Sequence, residues 1–354
     1  VGDTIYYYIA AQDVPGNAGT NPAGGSGSNP PGTTRPAITR SYLIIGAPLS
    51  GIHYIGAATY EKVTGNKVTA VIEERPLSAR DISVDVHSEA GLKDKDGNPI
   101  EGGILSPATR QTEVLFTNGQ RVSGVVAVRG DDLQSAKEQG IIPSNIEAVY
   151  PTIAAAIADL NLRGVSGHTT FLFSDTAYTT PTVQLLIAAD SLPNAQRTIT
   201  FKPWVEGHNV KITANSTSPV FIIGNSFVTI SGSFNIGGTN RYMTIENTNT
   251  GASAGVAFFT GSHFSSVRNV IGMSGASTAG YGIVFDNSMF GEIVNNELKR
   301  TTLGVQLQGN SSDMLIERNK IGSDVVAEKV QNIGIGVLSS NSFTVNRNTI
   351  AGLS

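Results

Sequence analysis

The chain has 354 residues, a formal net charge of −4, 40% hydrophobic but only 15% charged residues, and no cysteine. That length allows two or three domains, while the missing cysteines exclude thiol catalysis, Cys-ligated metals and a disulfide framework. The acidic balance without a Lys/Arg cluster argues against a nucleic-acid partner, and no apolar run reaches membrane-spanning length.

Residues 3–11, "DTIYYYIAA", read as a strand, and 41–45, "SYLII", as a second. Between them lies a long loop dense in Gly, Pro, Asn and Ser. A lone strand pair is marginal in water, so these strands need a sheet to join, in this chain or in a neighbouring one. We take 1–50 as this strand pair and 51–148 as a β-rich inserted module. The module has candidate strands at 52–56, 67–73, 82–87, 111–117 and 121–128, and a short helix at 131–139, "DDLQSAKEQ". Within it, "KDKDGNPIEGG" carries Asp94, Asp96, Asn98 and Glu101, a set that suits a calcium loop. Gly97 comes too early for the EF-hand pattern, and the alternative is an Asp-Gly hairpin turn.

Residues 150–164, "YPTIAAAIADLNLRG", predict a short amphipathic helix. Ile153, Ile157 and Leu160 recur at i, i+4 and i+7, one narrow apolar stripe. Pro151 and Thr152 mark its start and Gly164 its end. A helix placed directly before a run of strands is expected to cover their open hydrophobic end.

From about 170 onward, short strands follow in quick succession, and a repeat emerges. Gly255, Gly282, Gly304 and Gly334 each precede apolar residues one and three places later. Asn269, Asn296, Asn319 and Asn348 follow 14 or 15 residues on, and Ile271, Leu298, Ile321 and Ile350 two residues after those. The frame stays fixed while insertions fall between frames, as in a solenoid. With no helix between strands, each strand must pair with its equivalent in the next coil, which predicts a parallel β-helix over 149–354. The Asn residues suit left-handed turn positions and stacked amide ladders.

"YPTIAAAIADLNLRGVSG", with "TFLFSDTAYT", "VTISGS" and "MTIENTNTG", resembles the right-handed parallel β-helix repeat proteins of the pectate-lyase-like superfamily. More narrowly, it resembles large secreted and cell-surface bacterial proteins that carry such helices beside immunoglobulin-like modules, and "GDTIYYYIAAQD" fits the same proteins. The resemblance implies an all-β chain: a right-handed parallel β-helix with an N-terminal capping helix, preceded by an immunoglobulin-like, β-sandwich-like region. Enzymes on this fold use clustered Asp with calcium and a basic residue, or paired carboxylates on adjacent coils.

Neither pattern is evident here. In the aligned frames Asp286 corresponds to Gln308 and Leu338, and Glu297 to Lys320 and Thr349. The five His, at 53, 87, 168, 208 and 263, share no metal-ligand spacing. Trp204, in "FKPWVEG", either stacks on a sugar ring or packs at a coil corner beside Pro203. No catalytic or cofactor residues are assigned, with calcium the one ion weighed. The expectation is an extracellular or cell-surface structural or adhesive protein, a fragment of a longer secreted precursor. It self-associates through strands 3–11 and 41–45 and an open β-helix end after Ile350, as in a head-to-tail filament or surface layer. The alternative is a carbohydrate-active enzyme or glycan-binding module.

Overall fold

Strands whose apolar residues alternate must bury one face, and here they do so by stacking on their own repeats. The computed structural model describes residues 4–27, 31–37, 40–43, 46–73, 82–83, 92–94, 99–100, 112–116, 121–123, 127–187, 191–235, 237–250, 255–275 and 280–353. The chain divides into two compact units, Val1–Ala47 with Glu73–Gln111, and Pro48–Ile72 with Thr112–Ser354.

In the first unit, Thr4–Tyr7 pairs antiparallel with Arg40–Leu43, and Ile9–Gln12 with Ala18–Asn21. The strand expected at 3–11 is thus broken at Tyr8, and each half has its own partner. The Tyr8 hydroxyl donates to the Gly32 carbonyl at 2.5 Å, tying the break to the loop. Leu92–Asp94 pairs antiparallel with Pro99–Ile100. Residues 95–98, with Asp96 and Asn98, and Glu101 lie outside the described residues, as does the side chain of Asp94, so the calcium-loop and hairpin-turn expectations both fall there.

The second unit is built on three long parallel sheets. Sheet I has nine strands in the order Ile146–Tyr150, Leu49–Ile55, Val165–Phe173, Ile199–Pro203, Val228–Ser231, Ser266–Arg268, Glu292–Val294, Ser312–Glu317 and Asn341–Asn346. Sheet II has seven: Ala177–Thr179, Val210–Ala214, Met243–Asn247, Val270–Ser274, Glu297–Lys299, Lys320–Ile321 and Thr349–Ile350. Sheet III has six: Val183–Leu185, Phe221–Ile223, Gly255–Thr260, Tyr281–Asp286, Leu303–Gln308 and Ile333–Val337. From Val165 the chain visits sheets I, II and III in that order, coil after coil, consistent with a parallel β-helix. Sheet I also takes in Leu49–Ile55 and Ile146–Tyr150, so its pairing begins well before residue 149.

In-register columns of side chains fill the interior. In sheet I the inward column runs Ala148, His53, Phe171, Phe201, Ile230, Val267, Ile293 and Ile316, all buried, and ends at Val345, which is exposed on the last strand. Phe171 stacks on Phe201 at 5.0 Å and 13°, and in sheet III Phe259 stacks on Phe285 at 4.5 Å and 4°. Each such buried side chain contributes about 2 kcal/mol of apolar burial. Gly304 is required where it sits, because a Cβ there would stand 2.4 Å from Ile321 Cγ2 and 2.5 Å from the Gly334 carbonyl oxygen.

The register corrects the first repeat frame by one residue. Ala257 and Phe259, not Val256 and Phe258, stand opposite Ile283 and Phe285. Ile271 stands opposite Glu297, and Gly272 takes the place opposite Leu298. The run "VAFF" is apolar at every position, so alternation alone cannot set its phase there, and a one-residue slip exchanges the faces.

Among the described residues three α-helices accompany the sheets: α1 Ala57–Thr64, α2 Gly130–Glu138 and α3 Ile153–Arg163. Helix α1 was not foreseen, because Tyr60 is its only buried residue and no apolar stripe marks it. Helix α3 starts at Thr152, whose hydroxyl accepts from Ala155 N at 3.0 Å, and ends at Gly164, φ 66°. It packs against Leu49–Ile55, Ile146–Tyr150 and Val183–Leu185, with Ile153, Ile157 and Leu160 all buried.

Between sheets I and II the Asn residues form a buried ladder. Asn319 Oδ1 accepts from Asn296 N and Nδ2, at 2.9 and 3.0 Å, while its Nδ2 donates to the Ile293 carbonyl and Asn348 Oδ1. Replacing Asn319 with Ala strands several of these groups at once. Asn319→Ala should cost about 3 kcal/mol in denaturant unfolding. Asn346→Ala, on an exposed rung whose amide bonds only Glu317 among the described residues, should cost less than about 1 kcal/mol. Equal costs would contradict the ladder.

Candidate functional site

A network of ion pairs gathers at sheet II. Glu246 receives Lys211 Nζ at 2.8 Å and the Arg300 guanidinium. Glu297 receives Lys299 at 3.1 Å, Lys320 at 3.3 Å and Arg241 at 3.6 Å. Lys299 also reaches Glu328 at 3.1 Å. Partial burial pushes the Glu246 and Glu297 pKa values up, but their cationic partners outweigh it and hold both below the usual carboxylate range. A carboxylate held this way keeps no proton at neutral pH, which a general acid needs. As the frames predicted, Asp286 stands opposite Gln308, and Glu297 over Lys320, itself opposite Thr349.

Three of the histidines singled out from sequence have separate partners. His168 Nδ1 meets Thr198 Oγ1 at 2.9 Å, His208 Nε2 meets the Asp175 carbonyl at 3.0 Å, and His263 Nδ1 accepts from Met289 N at 3.0 Å. Among the described residues, no three His, Asp or Glu side chains gather as metal ligands would. Trp204 lies at the corner after sheet I, 38% exposed, edge-on to Tyr54 and His208. Asn296, Asn319 and Asn348 stack in the ladder described above. Asn269 sits one position earlier, in a left-handed turn at φ 58°, and its Oδ1 accepts from Asn295 Nδ2 at 2.7 Å.

Two features were not read from the sequence. The first is an aromatic ridge at the corner between sheets III and I. Phe227, Phe264 and Phe290 occupy the same turn position in consecutive coils, with φ of 58°, 54° and 56°. Their rings stack at 4.9 Å and 14°, then 4.8 Å and 10°. Phe264 is 51% and Phe290 46% exposed, with Met289 beside them also exposed. A bulky residue in the left-handed region costs about 1 kcal/mol or more. The next two coils fill the same position with Asp313 and Ser342, φ 54° and 52°, so the turn itself does not need phenylalanine. The one sequence signal is a Phe at the turn immediately before three strands, visible only once those strands are aligned.

The second is a buried polar cluster beneath α3. Asp159 Oδ2 accepts from Tyr150 OH at 2.6 Å and from Arg129, with Arg163 Nη1 at 3.6 Å. Arg129 Nη2 also donates to Tyr150 OH at 2.5 Å. Burial, and then the Asp159 charge, push the Tyr150 hydroxyl well above the usual tyrosine range. Its residues come from three separate stretches, Arg129, Tyr150 and helix α3, so no local motif announces it.

Compared with protein-family models, with curated proteins and with solved structures, the chain matches none.

If the ridge is surface and not core, its substitution should be cheap. Phe264→Ser loses two ring stacks of about 0.5–1.5 kcal/mol each but relieves the strained backbone. The expected net cost is below about 2 kcal/mol in chemical denaturation. Phe285→Ala, fully buried, should cost about 3–5 kcal/mol. A ridge substitution as costly as the core one would assign the ridge a purely structural role.

Proposed function

We propose that the protein is a non-enzymatic structural or adhesive solenoid working at or outside the bacterial cell surface, with the phenylalanine ridge as its contact surface. The proposal takes the solenoid as right-handed and of the pectate-lyase-like kind, with α3 capping its first coil. It also takes the first 50 residues as immunoglobulin-like or strand-donating. Self-association through those strands, or through the last coil, belongs to the same reading.

The ridge carries the reading. Three stacked rings, two of them exposed and Phe227 half-buried, stand where Asp or Ser serves elsewhere in the same column, at a cost in backbone strain. Strain kept at an exposed position points to use. The rings stack face to face, so both faces of Phe264 and one face each of Phe227 and Phe290 are covered, and ring edges make up most of the ridge. A sugar ring packs on an aromatic face, whereas apolar protein side chains also pack on edges. The ridge therefore fits a protein partner better than a glycan. Trp204 favours the second reading, glycan binding, because its indole is not part of such a stack.

Sedimentation velocity of the intact chain over a wide concentration range tests the first reading. Concentration-dependent association is expected, and the variant with Phe227→Ser, Phe264→Ser and Phe290→Ser should associate more weakly, retaining only what the first strands and the last coil contribute. A wild-type chain that stays monomeric at high concentration would count against self-association. Incubation with acidic and neutral polysaccharides, with and without calcium, should release no products. Cleavage that Glu246→Gln or Glu297→Gln abolishes would replace the proposal with an enzymatic one.

A further inference from the structure

His53 is the one polar side chain in the nine-residue inward column of sheet I, between Ala148 and Phe171. It is 2% exposed, its ring stacks on Phe171 at 5.2 Å and 27°, and Tyr150 lies tilted at 6.1 Å. By hydrogen-bond geometry neither ring nitrogen has a partner among the described residues, and the Ser50 backbone is the one neighbouring polar group that favours the protonated ring. Elsewhere the column holds Ala, Phe, Ile and Val, which fill the same place with no polar atoms to desolvate. A buried imidazole without partners is costly to keep and becomes far more costly once protonated.

We propose that α3 is a pH-responsive lid: protonation of His53 beneath it loosens α3 and the strand Ile146–Tyr150 from the first coil of the solenoid.

The charges facing His53 set the direction. Its own strand offers only the Ser50 backbone. Strand Ile146–Tyr150 brings Tyr150, which stays neutral. Strand Val165–Phe173 brings the apolar Phe171. Arg129 brings one guanidinium, and α3 brings a second on Arg163 together with the carboxylate of Asp159. That carboxylate meets Arg129, Tyr150 and Arg163 through Oδ2, and neither of its oxygens is hydrogen-bonded to a His53 ring nitrogen. Burial, and then Arg129, depress the His53 pKa from 6.5 to about 4.

The sign follows from linkage. The open form binds a proton near pH 6.5 and the closed form only near pH 4. Closure is therefore fully supported above pH 6.5 and loses that support as pH falls from 6.5 to 4. The opening equilibrium should rise about twentyfold between pH 7 and pH 5.

Hydrogen exchange read by mass spectrometry on the intact chain, corrected for the intrinsic pH dependence of exchange, tests this. Peptides spanning 146–163 should open about twentyfold more at pH 5 than at pH 7, while peptides spanning 281–308 stay protected. His53→Leu should flatten that dependence and leave protection at pH 7 intact. An unchanged pH dependence in His53→Leu overturns the proposal, and so does an acid response spread evenly over the solenoid. If His53→Leu does not fold, NMR titration of labelled histidine in the wild-type chain decides: a His53 imidazole titrating near pH 6.5 while folded overturns it, and one still neutral at pH 5 supports it.

Discussion

Each coil must bring its strands back to within one inter-strand step, about 4.8 Å, of the coil before. That constraint fixes almost everything else in the second unit. Parallel pairing places like position over like position, so each interior site becomes a column that one residue type must suit throughout. Phe171 over Phe201 and Leu298 over Ile321 meet the demand with apolar stacking. Asn296, Asn319 and Asn348 meet it with amides that hand a hydrogen bond from coil to coil. The Gly282, Gly304 and Gly334 column meets it by leaving room for the facing aliphatic side chains.

The same rule explains how much of the fold was legible. A strict period-2 alternation after a fixed Gly showed the coils from Gly282 onward, and the residues that cap α3 were plain. Where alternation failed, phase failed: "VAFF" supports both registers, and only pairing with Tyr281–Asp286 chooses between them. Sheet I pairs Leu49–Ile55 with Val165–Phe173, residues more than a hundred apart, which no local pattern reports. Helix α1 escaped because it buries a single tyrosine.

The features outside the core were less legible, for a physical reason. A ridge such as Phe227, Phe264 and Phe290 exists only once the coils are stacked, with unequal insertions between its members. The Asp159 cluster likewise draws on Arg129 and Tyr150 from outside its helix. The carboxylates were visible, but not the cations that neutralise them: Arg300 meets Glu246 across 54 residues of sequence. Fixing charge in pairs and placing rings at the corner are both consequences of stacking, and the proposed contact role rests on them.

The absence of cysteine allows the register to be tested without background. Thr200 and Thr229 are paired neighbours on sheet I, within the Cα separation that a disulfide spans. A Thr200→Cys/Thr229→Cys variant should oxidise to an intramolecular disulfide in the folded chain, and Thr200→Cys/Ser231→Cys, displaced by two residues along the strand, should not. Efficient bridging of the displaced pair, with none in the paired one, would contradict the parallel register on which the account depends.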